Sequence, residues 1–87
     1  RDKSSGDVQI TDPALANALG ETIWLYERNS VQKLYSYNLA AFDERVRVLK
    51  EGIQVTDRCI EAFPEYAPCY ITNGILRARA SPCRLAG

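Results

Sequence analysis

VRVLKEGIQVTDRCIEAFPEYAPCY, residues 46–70, holds a helical repeat, a stop and a restart within 25 residues. Val46, Leu49, Ile53, Thr56, Ile60 and Phe63 recur at intervals of three and four, the spacing of one helix face. The same stripe continues upstream through Tyr35, Leu39 and Phe42. Beside it runs a second stripe, Val48, Gly52, Val55, Cys59 and Ala62, so the apolar face is wide enough for two neighbours. Charges fill the opposite side: Asp43, Glu44, Arg45, Arg47, Lys50, Glu51, Asp57, Arg58 and Glu61. Glu44 can meet Arg47 at i,i+3 and Arg47 can meet Glu51 at i,i+4, pairs worth a few tenths of a kcal/mol on a solvated face.

No proline interrupts residues 30–63, which predicts one central helix of roughly 50 Å at 1.5 Å per residue. Pro64 disfavours helical geometry at Phe63 and ends it. After a short reversal, Pro68 opens a third helix to about residue 80, with Cys69, Ile71, Thr72, Ile75, Leu76 and Ala78 as its apolar side and Ser81-Pro82 as its stop. Upstream, TDPALANALGETIWLYERN, residues 11–29, has Thr11 or Asp12 as cap and Pro13 in the first helical position. Leu15, Leu19, Ile23 and Tyr26 share a face that should point inward, with Trp24 at its edge. Gly20 weakens this helix relative to alanine, which suggests a close approach to a neighbour. The expected fold is all-α: a small three-helix domain, with helices over about 13–29, 30–63 and 68–80. Residues 1–10 read as an extended or disordered arm, 11–82 as the helical domain and 83–87 as a tail. A break near Ala41–Glu44 would instead make the long helix a hairpin with flanking helices.

Size and composition agree with this scheme. The 87 residues suffice for one core, and 46% hydrophobic with 25% charged residues is the balance of an ordinary globular chain. Eleven basic residues offset eleven acidic ones, so no global field favours nucleic acid. After Glu65 only Arg77, Arg79 and Arg84 are charged, a local excess that reads first as a solvated helix face and tail. Tyr66–Leu76 is the longest uncharged run, too short to span a bilayer, so membrane association would be peripheral and through a partner. The chain begins at Arg1 and contains no methionine, so a processed mature form in an organelle lumen or the secretory or extracellular space is expected ahead of an excised domain.

Most catalytic chemistry lacks its residues. Without histidine there is no Ser-His-Asp or Cys-His nucleophile and no His-containing zinc site; three cysteines cannot complete a four-cysteine site. Gly6, Gly20, Gly52 and Gly74 are isolated, so no phosphate-cradling loop forms. The carboxylate pairs Asp43 with Glu44 and Glu61 with Glu65 belong to the polar face and the corner. No catalytic residue, cofactor site or metal site is expected. Cys59 and Cys69 flank the proline corner and could close a disulfide or remain buried thiols, and other pairings with Cys83 stay open. Cys69, at a helix start, has the better electrostatic position for reactivity.

The corner CIEAFPEYAPCYITNG, residues 59–74, resembles a tetratricopeptide repeat junction: Cys59-Ile60, Pro64 and Gly74 fall at that family's small, aliphatic, proline and small positions. Leu39-Ala40 lies 34 residues or so before the matching part of the next unit, where the family has Leu-Gly, although Ser36 replaces the usual Trp and Thr56 the usual aromatic. The resemblance covers about residues 33–80 and implies a helical hairpin that binds other proteins. Nine residues between Cys59 and Cys69 is also similar to half of the twin C-x9-C pattern of small mitochondrial intermembrane-space proteins, but two prolines split the pair and no second pair follows.

A long central helix flanked by shorter ones should leave apolar surface uncovered, and such surface usually marks a partner site. The expected function is therefore a non-catalytic interaction module or accessory subunit of a larger assembly. Its protein partner would meet Tyr35, Tyr37, Leu39 and Phe42, with Arg77, Arg79 and Arg84 as a polar rim. The other reading is a small secreted carrier holding an apolar ligand among Leu19, Ile23, Val46, Ile53 and Ile60.

Overall fold

A computed structural model describes residues 11–31 and 39–81, with side chains at 11–30 and 43–81. Within them the chain forms α1 (Pro13–Tyr26), a π-helical turn (Glu27–Val31), α2 (Leu39–Ala62) and α3 (Ala67–Ala80). The fold is all-α, a small three-helix domain.

Each boundary has a local cause. The Asp12 carboxylate accepts from the N–H groups of Ala14 at 3.0 Å and Leu15 at 3.4 Å, and Pro13 occupies the first turn. At the other end of α2, Phe63 N–H still donates to Cys59 at 2.7 Å, then Pro64 stops the helix and Tyr66 N–H closes a turn onto Phe63 at 2.9 Å. The Tyr70 hydroxyl, one turn into α3, donates back to the Pro64 carbonyl at 2.9 Å and fixes the corner. Two boundaries differ from expectation. Ser30 and Val31 complete the π turn after α1 rather than starting the central helix. Within the described residues that helix begins at Leu39, and it runs past Ala41–Glu44 without a break.

Pairings along the helices give their directions. Asn73 donates to Thr56 and the Arg45 guanidinium to the Arg79 carbonyl, so α2 and α3 are antiparallel. Pro13 lies at Cys59 and Cys69, Gly20 at Thr56 and Thr72, and Glu27 at Arg45 and Arg79. α1 therefore sits in the groove of the α2–α3 hairpin, antiparallel to α2 and parallel to α3. The wide apolar face of α2 touches both neighbours, and Arg45, Val48, Leu49, Gly52, Thr56 and Cys59 are buried along it.

Among the described residues the core forms two apolar clusters separated by a polar layer. Ala16, Cys59 and Cys69 pack with Val55, Ile60 and Tyr66 near the corner. Val48, Leu49 and Leu76 pack with Ile23, Trp24, Ile53 and Ala80 toward the open end. Between them Asn73 Nδ2 donates to Thr56 Oγ1 at 2.8 Å and Asp57 Oδ1 at 2.9 Å, Thr56 donates to the Gly52 carbonyl at 2.9 Å, and Thr72 donates to Asn17. A β-carbon at Gly20 would lie 2.7 Å from the Thr56 methyl and 2.9 Å from that of Thr72, so only glycine lets α1 settle this deeply.

That fit corrects the expected orientation of α1. Ala16 and Gly20 face inward, while Leu15, Leu19 and Tyr26 are exposed, Leu15 by 66%. Leucines on the buried side would hold α1 away from the two threonines. α3 is corrected too: Ile71 is 65% exposed and Ala78 is exposed, whereas Asn73 joins Cys69, Thr72 and Leu76 inside.

Candidate functional site

Three arrangements could carry function: the cysteine corner, a buried ion cluster at the opposite end, and the uncovered faces of α1 and α3.

At the corner, Cys59 near the end of α2 and Cys69 in the first turn of α3 lie at disulfide distance, with Cα atoms 6.4 Å apart. Both side chains are fully buried. Their sulfurs lie 3.9 and 3.7 Å from the Pro13 carbonyl oxygen, so the first turn of α1 seals the pair. Cys83 lies outside the described residues.

At the open end, Glu27 begins the π turn and is completely buried. Its Oε2 is 2.8 Å from Nε of Arg45 on α2, and its Oε1 accepts from Nε of Arg79 on α3. One carboxylate thus ties all three helices together. The Arg45 contact is an ion pair rather than a linear hydrogen bond. Arg45, expected on the solvated side of α2, is instead buried against Glu27. Nothing in the local pattern WLYERN, residues 24–29, marks Glu27, because both its partners lie on other helices. Arg28 stacks over the Trp24 ring at 5.3 Å, and the buried Trp24 indole N–H has no acceptor among the described residues.

Arg77 and Arg79, expected to rim a partner surface, both make ion pairs inside the domain. Arg77 grips both Asp57 oxygens at 2.8 and 2.9 Å and donates to Asn73 Oδ1 at 2.8 Å. Arg79 holds Glu27. Tyr35, Tyr37 and Arg84 lie outside the described residues, and Leu39 and Phe42 fall in the first turn of α2. The residues named for an apolar cavity are not gathered around one space, since Leu19 is exposed on α1.

On the α2 surface the expected pairs form, Glu44 with Arg47 at 2.8 Å and Arg47 with Glu51 at 3.1 Å. The Tyr26 hydroxyl donates to Glu44 at 3.1 Å and extends this chain to α1. Hydrogen bonds from Arg47 and then Tyr26 hold the Glu44 carboxyl below its ordinary pKa, and the bond to Glu44 raises that of Tyr26. Among the described residues no group of histidine, cysteine or acidic side chains could hold a metal ion, and no helix is long and apolar enough to cross a membrane.

The uncovered faces were not anticipated. Leu15, Leu19, Thr22 and Tyr26 form an exposed stripe on α1, whose one charged residue is Glu21. On α3, Ala67, Tyr70, Ile71, Gly74 and Ala78 are exposed, with no charge from Ala67 to Leu76. The chain matches no family model, no curated protein and no solved structure.

Proposed function

We propose that this domain is a non-catalytic protein-interaction module or accessory subunit, and that it binds through the outward face of α1. The observation that supports this is the exposed stripe Leu15–Leu19–Tyr26 on a helix whose inner face is already satisfied. Scattered exposed leucines are ordinary; a periodic stripe on a nearly uncharged helix is the pattern of an interface. Chemistry has little to work with, because the buried carboxylate is held by arginines and the polar layer is hydrogen-bonded within itself.

Light scattering together with binding of an apolar fluorescent dye tests this. The wild-type chain should bind dye or exceed monomer mass. Leu15→Glu with Leu19→Glu should lose that property while keeping its helical circular dichroism, because both positions face solvent. A wild-type monomer that binds no dye would refute the reading.

A further inference from the structure

The cysteine pair is enclosed on three sides: by Val55 and Ile60 of α2, by Tyr66 of the corner, and by Pro13 and Ala16 of α1. These walls differ in how firmly they are held. The α2 wall is continuous with Cys59 itself. Tyr66 is fixed by its turn bond to Phe63, and Tyr70 ties the next turn to Pro64. The first turn of α1 buries Ala16 and half-buries Pro13, leaves Ala14 and Leu15 in solvent, and is fastened at its start by the exposed Asp12 cap. A segment with so little buried apolar contact opens locally at lower free energy than the rest of a domain.

We infer that the first turn of α1 is a lid that controls reduction of a Cys59–Cys69 disulfide. While it is seated, both sulfurs are inaccessible, and thiol–disulfide exchange requires access to a sulfur. When it lifts, a dithiol reductant can enter. Its thiolate attacks one sulfur, forms a mixed disulfide and releases the other cysteine as a thiolate, which takes a proton from water. The second thiol of the reductant then displaces the first cysteine. Cys59 and Cys69 gain two electrons and two protons, and the dithiol leaves as a cyclic disulfide. Release of α1 and loss of the corner bond are thereby coupled, so the domain is a redox-sensitive device whose threshold is set by α1.

The test is the rate at which dithiothreitol reduces the pair in the folded, full chain, read by alkylation and peptide mapping at Cys59 and Cys69. Asp12→Ala removes the cap of the lid and should raise the rate about fivefold, the population change expected for a lost N-cap. Ile53→Val weakens the other cluster to a similar extent and should leave the rate within about twofold if opening is local. Equal acceleration by both variants would mean that reduction waits for global unfolding and would overturn the lid. So would no acceleration by Asp12→Ala, or a pair found unbonded after oxidative purification.

Discussion

Replacing Glu27 by glutamine keeps the side-chain shape and removes one buried charge, which leaves the Arg45 and Arg79 guanidiniums facing a neutral amide. Glu27 is fully buried, and the Arg45 and Arg79 side chains are 8% and 21% exposed, so little water is present to solvate what remains. At a separation of 4 Å and an effective dielectric of 20, a pair of unit charges is worth about 4 kcal/mol before desolvation is subtracted. Breaking a buried pair by removing one partner costs about 3–5 kcal/mol. Arg79 can turn toward solvent and Arg45 cannot, so the lower end, about 3 kcal/mol, is expected for Glu27→Gln. A chain of this length has roughly 4–13 kcal/mol of stability in total, so the loss is a large share of it. Urea unfolding followed by circular dichroism and Trp24 fluorescence should show the midpoint falling by about 2–3 M at an unchanged slope. Glu51→Gln, in an exposed pair, should scarcely move it. Replacing Glu27, Arg45 and Arg79 together by methionine should recover much of the loss, because no charge is then stranded. A loss below about 1 kcal/mol for Glu27→Gln would refute the account of this cluster as a buried, mutually dependent tie.

The two glycines Gly20 and Gly74 should respond oppositely to alanine. At Gly20 the new methyl meets the Thr56 and Thr72 methyls, and overpacking of about 1–3 kcal/mol should exceed the roughly 1 kcal/mol gain in helix propensity; at Gly74 the new methyl meets no described atom beyond its own helix within 4 Å, so only the gain remains. Thermal unfolding of both variants checks this, and a stabilised Gly20→Ala would contradict the close approach of α1. A Cys59–Cys69 bond closes so short a loop that its reduction should lower stability by about 3 kcal/mol, measured as a urea midpoint with and without reductant. The Glu44 contribution should depend on acid: a carboxyl held below its unfolded pKa stabilises the fold above that value, about 4.5, and loses this as pH falls through the lower folded pKa. The stability difference between wild type and Glu44→Gln should therefore shrink below pH 4.5, and a difference constant with pH would count against the Arg47 and Tyr26 bonds.

Local sequence determined the elements. Asp12-Pro13 starts α1, Pro64 ends α2 and Pro68 begins α3, because caps and prolines act on the backbone within a few residues of themselves. The two stripes of α2 correctly implied two neighbours, since a charged far side left only one way for that helix to face. The Glu44–Arg47–Glu51 pairs were legible for the same reason of short range.

Orientation and burial of charge were decided by the tertiary structure. α1 carries apolar residues around most of its circumference, so periodicity alone cannot choose between the Leu15–Leu19 face and the Ala16–Gly20 face. The choice is made by Thr56 and Thr72, whose methyl groups leave room for a glycine and not for a leucine. Glu27 reads as an ordinary surface acid at the end of a helix. It becomes buried because α2 brings Arg45 and α3 brings Arg79, 52 residues away, to the same point. A charge can enter a core only when its partners arrive with it, and which partners arrive depends on how the helices cross.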